Sequence, residues 1–241
     1  MVQKTPRGAI VYDADIFPAV TDDLFKVRSW KSAQAVRGPL RAAGRGTTLI
    51  VSDGEREFVW RRYLRGGLIG KLIKNTYFWR GEDETRSFIE WRLLHKLKRM
   101  GLNVPTPAAA CYRKTAMFYT ADLLTVRIPG IRSLADRLIE APGDEQFWQS
   151  LGAGIAATHE AGVYHADLNA YNVQLKVDDE LWLLDFDRGA LSPGGTWKQE
   201  TLGRLHRSLR KIRELSAEVN FAEENWEQFL AGYFAATRTG D

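Results

Sequence analysis

The apolar positions of this 241-residue chain fall into blocks with two different periods. Residues 45–64 alternate. RGTTLIVSDG and EREFVWRRYL each carry branched or aromatic side chains at alternating positions, and Ser52-Asp53-Gly54 between them has turn chemistry. Period two marks a strand with one buried face, so this stretch predicts a hairpin. Residues 84–100 (ETRSFIEWRLLHKLKRM) switch to helical spacing, with Phe88, Leu94 and Leu97 among the apolar positions and Gly101 as terminator. Val104-Pro105-Thr106-Pro107 leads back into a sheet, and 116–128 reads as a strand and hinge, broken by Pro129-Gly130. A helix is predicted from near Ser133, whose hydroxyl suits an N-cap. Helical spacing returns over 147–162 (FWQSLGAGIAATHEAG) and stops at Gly162. Asn172–Leu175 and Leu181–Leu184 flank the polar turn Asp178-Asp179-Glu180 and predict a second hairpin. In TLGRLHRSLRKIR, Leu202, Leu205, Leu209 and Ile212 share one helical face, with Arg204, Arg207, Arg210 and Lys211 largely off it.

This order of elements predicts an α+β protein of two lobes. A small β-rich N-lobe covers 1–128, and a mainly helical C-lobe covers 129–241. A hydrophobic content of 44%, with 8 Trp and 11 Phe, is that of a globular chain rather than a disordered one. No apolar run approaches the roughly 18 residues of a membrane span. The N-terminus MVQKTPRGAIVYDADIF lacks the basic-then-apolar layout of a signal peptide, so the expected compartment is the cytoplasm. A single cysteine, Cys111, excludes an intrachain disulfide and leaves His159 and His165 without a compact four-ligand zinc set. Both histidines are read as structural, with His165 buttressing its loop.

Lys plus Arg number 34 against 30 Asp plus Glu, but the balance is uneven along the chain. From Arg61 to Arg80 there are six basic residues and no acid, interleaved with Leu68, Ile69, Leu72, Ile73, Tyr77, Phe78 and Trp79. Such a stretch suits anionic lipid head groups and predicts a peripheral contact with a membrane surface. For the basic run 201–213, a lipid-binding face and a plain solvated helix face stand level. Nucleic acid is not expected as a partner, because the basic residues are confined to two segments and no nucleic-acid motif accompanies them.

The chemistry concentrates between His159 and Asp187. His165-x-Asp167 is followed five residues later by Asn172, then by an apolar strand that ends in Asp185-Phe186-Asp187. That order is the catalytic loop and metal-binding turn of a protein-kinase-like phosphotransferase. Phosphoryl transfer is mostly positioning and charge neutralisation. It needs magnesium ligands, a task that fits Asn172 and Asp185, and a group facing the acceptor hydroxyl, which fits Asp167. Ala166 stands where protein kinases carry an Arg that pairs with a phosphorylated loop, and Asp187 replaces the last Gly of Asp-Phe-Gly. No Ala-Pro-Glu follows. These departures point to a small-molecule or lipid-sugar acceptor.

In the N-lobe, Val59-Trp60-Arg61-Arg62 occupies the place of the strand that holds the donor phosphates. Arg61 is favoured for that cation, and Arg62 should face the other way on a strand. Glu90 is favoured as its helix partner over Glu84, which sits nearer the helix start, where the dipole alone welcomes a carboxylate. Gly44-Arg45-Gly46 is the candidate loop over the phosphates, though a plain turn explains it equally well. Adenine is expected against Leu124–Ile128 through backbone groups. The Walker-like Gly66–Leu72 is one residue short and lacks the hydroxyl after Lys71, so it is set aside.

Taken together, these residues resemble the bacterial 3-deoxy-D-manno-octulosonic acid (Kdo) kinases, which phosphorylate the Kdo sugar on the lipid A precursor of lipopolysaccharide. The matching stretches are Gly44–Gly46, Arg61–Leu72, Thr85–Phe88, Val104–Pro107, His165–Asn172 and Trp182–Asp187, with a weaker echo over Trp197–Arg210. The Arg-Gly-Gly-Leu-x-Gly-Lys block is the most family-specific of them. The resemblance implies a protein-kinase-like fold, ATP as donor, magnesium as cofactor and the Kdo 4-hydroxyl as acceptor. It implies a Kdo-lipid A precursor as partner, held by an anion clamp of Arg65, Lys71 and Lys74, and work at the cytoplasmic face of the inner membrane. A heptose kinase of the lipopolysaccharide core and an atypical protein kinase share the same catalytic residues. A non-catalytic binding module is the reading from another class; the Arg at the lysine position supports it, and the intact Asp167, Asn172 and Asp185 oppose it. The sequence carries no signal for oligomeric state.

Overall fold

The computed structural model of the protein describes residues 1–36, 48–63, 76–192 and 194–238. The chain divides into two compact units, Met1–Met100 with Pro105–Ile128, and Gly101–Val104 with Pro129–Asp241. The first is built on a sheet and the second is mainly helical, an α+β arrangement.

The first unit contains, in chain order, β1 (Val2–Thr5), β2 (Gly8–Tyr12), β3 (Ser32–Ala35), β4 (Thr48–Ser52), β5 (Glu57–Arg62), β6 (Tyr77–Phe78), α1 (Arg86–Arg99), β7 (Pro107–Thr115) and β8 (Phe118–Val126). Among the described residues the strand order is β1-β2-β7-β8-β5-β4-β3, with β6 also on β8. The predicted hairpin forms, running from Thr48 opposite Arg61 to Ser52 opposite Glu57. Its turn is set by Asp53, whose Oδ1 accepts from the N–H groups of Glu55 and Arg56 at 2.8 Å each, and by Gly54 at φ +102°. The sequence reading did not foresee β1, β2 or β3, and it foresaw the return to the sheet at Val104–Pro107 but not the extent of β7, Pro107–Thr115. Six consecutive residues of β7, Pro107 to Tyr112, are buried, so both faces are covered and the alternation that marks a half-buried strand is erased.

The alternation of β5 sends its two faces to different tasks. Phe58 and Trp60 enter an aromatic cluster with Phe17, Phe25 and Trp30, with centroid separations of 5.3 to 5.9 Å. Arg61 and Tyr63 turn to the face covered by α1, where Phe88, Leu94 and Leu97 are buried.

The second unit contains β9 (Arg132–Ser133), α2 (Leu134–Glu140), α3 (Glu145–Glu160), β10 (Val163–Tyr164), β11 (Val173–Leu175), β12 (Leu181–Leu183), β13 (Ala190–Leu191), α4 (Trp197–Leu215) and α5 (Glu223–Arg238). Ser133 caps α2, accepting from the Asp136 N–H at 3.1 Å. Helices α3 and α5 cross at glycines: a Cβ on Gly152 would overlap the Phe229 carbonyl, and one on Gly232 would overlap Gln149. The buried His159 joins three helices through Tyr233 Oη on α5 (2.9 Å from Nδ1) and Thr201 Oγ1 on α4 (3.1 Å from Nε2). Burial, then the nearby Lys198 charge, hold its pKa down to about 4. The Leu202, Leu205, Leu209 and Ile212 stripe of α4 is buried, so it is core rather than a face for lipid.

Candidate active site

The segment between β10 and β11 is a loop whose side chains bond to its own backbone. Asn169 Oδ1 accepts from the N–H groups of Tyr171 (2.9 Å) and Asn172 (3.0 Å), and its Nδ2 donates to the Asp167 carbonyl at 3.0 Å. Asn172 Nδ2 donates to the same carbonyl at 2.8 Å. The loop is anchored outward twice. The Ala170 N–H donates to Ser208 Oγ on α4 at 3.1 Å, and the Ala170 carbonyl accepts from Ala135 N–H at the start of α2 at 3.1 Å.

His165 ties this loop to the turn that follows β12. The Asp167 N–H donates to Nδ1 at 3.2 Å, which places the proton on Nε2, and Nε2 donates to the Leu184 carbonyl at 2.8 Å. Burial lowers the His165 pKa, in keeping with a neutral ring, and the ring lies 4.8 Å from that of Phe186. The Leu184 N–H donates to the Asn172 carbonyl at 2.9 Å, closing the circuit. One hydrogen-bonded frame therefore carries Asp167, Asn172 and the residue preceding Asp185. Asp185 has φ +63° and Arg188 φ +61°, conformations that cost a residue with a Cβ and persist where surrounding structure enforces them. Asp187, where protein kinases carry glycine, is not among the residues of positive φ.

The donor set suits magnesium, which takes oxygen ligands. Asn172 commits its amide nitrogen to Asp167, which leaves Oδ1 as the acceptor, and Asp185 adds an exposed carboxylate. No group of three or more His, Cys, Asp or Glu side chains among the described residues could hold a metal, so such an ion would draw its remaining ligands from water and substrate.

In the first unit, Arg61 Nη2 pairs with Glu90 Oε2, and Tyr63 Oη donates to the same oxygen at 2.5 Å. Glu90 is buried, whereas Glu84 is exposed ahead of α1. Arg62 lies on the other face, donating from Nε to Asp122 at 2.9 Å. Asp122 is fully buried and also accepts from Trp60 Nε1 (2.9 Å) and Arg113 Nη1 (2.7 Å). The N–H groups of Val126 and Arg127, in the stretch expected against adenine, are taken by the carbonyls of Thr106 and Glu57 at 2.9 Å each. Gly44, Arg45, Gly46, Arg65, Lys71 and Lys74 lie outside the described residues.

Sequence reasoning assigned no role to Asn169 or Asp122. Asn-Ala-Tyr-Asn carries the signature of an Asx turn, and a lone carboxylate inside the apolar strand ADLLTV demands buried partners.

Comparison with known proteins places the chain in a class of phosphotransferases. Residues 29–233 match the lipopolysaccharide kinase (Kdo/WaaP) family, and the chain belongs to that family. Among its relatives is a 3-deoxy-D-manno-octulosonic acid kinase of Vibrio vulnificus (strain YJ016), 36% identical over 96% of this chain and 97% of that protein. Another protein of that name, from Xylella fastidiosa (strain M12), is 42% identical over 97% of this chain and 92% of its own. A solved structure of monomeric WbdD is similar at a TM-score of 0.45 and 18% identity, over 76% of this chain and 41% of that one.

Proposed function

We propose that this chain transfers the γ-phosphoryl group of ATP to the 4-hydroxyl of Kdo on a lipid A precursor, at the cytoplasmic face of the inner membrane. The observation that carries the reading is the frame in which His165, Asn169 and the Asp167 and Leu184 carbonyls tie together the backbone that carries Asp167, Asn172 and, one residue on, Asp185. The name of the relatives, 3-deoxy-D-manno-octulosonic acid kinase, supports Kdo as the acceptor sugar.

Asp167 orients the acceptor hydroxyl and takes its proton as the oxygen attacks phosphorus in line with the leaving ADP. Asn172 and Asp185 hold magnesium, which when bound neutralises charge on the donor phosphates. Arg61 binds those phosphates; its fork offers two parallel hydrogen bonds where a lysine offers a point charge. Glu90 and Tyr63 keep the Arg61 fork in place. Gly44, Arg45 and Gly46 contribute backbone to the phosphates, and Arg65, Lys71 and Lys74 clamp the carboxylate and phosphates of the acceptor. No helix among the described residues is long and apolar enough to cross a membrane.

The test is transfer of labelled phosphate from ATP and magnesium to Kdo-lipid A precursor, with heptosylated core and casein as competing acceptors. Label on the Kdo lipid alone, mapped to the 4-hydroxyl, supports the reading. Label on heptose or casein contradicts its acceptor, and label on nothing contradicts the catalytic assignment.

A further inference from the structure

One end of the first unit's sheet carries apolar side chains that no part of the described chain covers. Strands β7 and β8 are joined through Ala116 and Met117, with Thr115 opposite Phe118 and Ala116 at φ +53°. Met117 stands at the tip of this turn, 62% exposed. Phe78 of β6 sits directly opposite Phe118, ring edge to ring face at 6.3 Å, and is 54% exposed. The register places these two rings on one face of the sheet. On the opposite face Trp79 packs against Tyr112 at 4.9 Å and Tyr119 at 6.0 Å, and its N–H donates to the Met117 carbonyl at 2.9 Å. The sheet end is thus a wedge, aromatic on both faces and apolar at the tip.

Cations surround it. Lys114 Nζ lies 5.1 Å from the centre of the Trp79 ring, the Lys114 N–H donates to the Arg7 carbonyl at 2.7 Å, and Arg80 follows Trp79 in the chain. Arg7, Arg80 and Lys114 are exposed, and among the described residues none of them is in an ion pair. The nearby Glu82 is already taken, by Lys4 Nζ at 2.6 Å and Tyr112 Oη at 2.7 Å. Of the exposed acids that follow Arg80, Asp83 pairs with Arg92 at 2.7 Å and Glu84 stands against the three cations Arg7, Arg80 and Lys114, so the exposed charge around the tip is positive on balance.

We propose that this sheet end docks on a bilayer surface bearing anionic lipids, with Met117 and Phe78 entering the boundary between head groups and acyl chains. Aromatic and apolar side chains at that depth, ringed by Lys and Arg, are the chemistry of an interfacial anchor. A tip of two exposed apolar residues is too small for a stable protein interface, which buries about 800 Å² on each partner. The inference deepens the glycolipid-acceptor reading and rests on it for its purpose, because the acyl chains of such an acceptor lie in a bilayer.

The experiment is flotation of the full chain with phosphatidylcholine vesicles, with and without a minority of phosphatidylglycerol. The variants are Phe78→Ser with Met117→Ser, and Val177→Ser as a control at an apolar side chain of the second unit that is 87% exposed. Wild type and V177S should float with the anionic vesicles, and the double variant should bind them at least about tenfold more weakly. The double variant should keep its melting temperature and its transfer to a deacylated Kdo acceptor, while transfer to the lipid acceptor in vesicles falls. Undiminished vesicle binding by the double variant, or none by the wild type, would overturn the proposal. So would a self-associated species that the double variant dissolves, since the surface would then belong to a second copy. Tip-dependent flotation without transfer to either Kdo acceptor would leave the docking surface standing and remove the Kdo reading.

Discussion

Asn172 donates from Nδ2 to the backbone carbonyl of Asp167 at 2.8 Å, so the amide assigned to magnesium is oriented by the residue assigned to the acceptor hydroxyl. The same carbonyl accepts from Asn169 at 3.0 Å. Two side-chain amides converging on one carbonyl make this loop a single rigid piece, and the geometry for transfer follows from that rigidity.

Asn169 is a positioning residue, and its removal should show in turnover rather than in donor binding. Asn169→Ala takes the acceptor from the Tyr171 N–H and leaves the Asn172 N–H with the Asn169 carbonyl at 3.1 Å, and we expect kcat to fall about ten- to a hundredfold with KM for ATP unchanged. Asn169→Asp keeps the acceptor oxygen and should recover part of the loss. Steady-state kinetics of the two variants check this; an equal rise in KM for ATP would show that the loop is not the element affected.

The two neighbouring arginines of β5 should separate cleanly. Arg61→Ala is expected to lower kcat/KM for ATP by about a hundredfold or more, since it removes the donor-phosphate cation and leaves Glu90 buried without it. Arg62→Ala should leave nucleotide affinity alone and cost about 1 kcal/mol of stability through its bond to Asp122. Nucleotide titration and denaturant unfolding of both variants distinguish them. A reversed pattern would exchange the roles of the two residues.

Stability should fall with acidity in a window set by the buried histidines. His159 has a folded pKa of about 4 against 6.5 in the unfolded chain, so the unfolded state binds more protons between those values. Its contribution is complete above about pH 6.5 and is lost as pH falls toward about 4. Between about pH 7 and pH 5 this amounts to about 2 kcal/mol, with His165 acting in the same direction. Urea unfolding across that range, on wild type and His159→Gln, checks the sign; a variant with an undiminished slope would move the effect elsewhere.

The α3–α5 crossing depends on missing side chains. Gly232→Ala would drive a methyl into the Gln149 backbone and Gly152→Ala into that of Phe229, each expected to destabilise by about 3 kcal/mol. Thermal melts suffice to measure it. A change of only a few tenths would mean that the helices separate at little cost.

Much of this was legible in the chain. The β4–β5 hairpin, α1, α3, the Ser133 cap and the β11–β12 hairpin all lie where one-face burial or turn chemistry writes itself into the sequence. The entry to β7 was legible at Val104–Pro107, but its extent was not, because its run of small and apolar residues is buried on both faces. The α4 stripe was legible as amphipathic but not as core, since periodicity identifies an apolar face and not what covers it. The Arg61 and Arg62 alternation was readable from strand geometry, whereas the Asp122 network that receives Arg62 requires three strands to meet. For Asn169 the signal is local: an Asn two and three residues ahead of the N–H groups it accepts from is the pattern of an Asx turn.

The most direct measurement is single-turnover transfer to Kdo-lipid A precursor by wild type and Asp167→Ala, with ATP affinity measured in parallel. The account predicts that the variant binds ATP as wild type does and transfers phosphate at least about a thousandfold more slowly. Transfer at a wild-type rate by Asp167→Ala would contradict it.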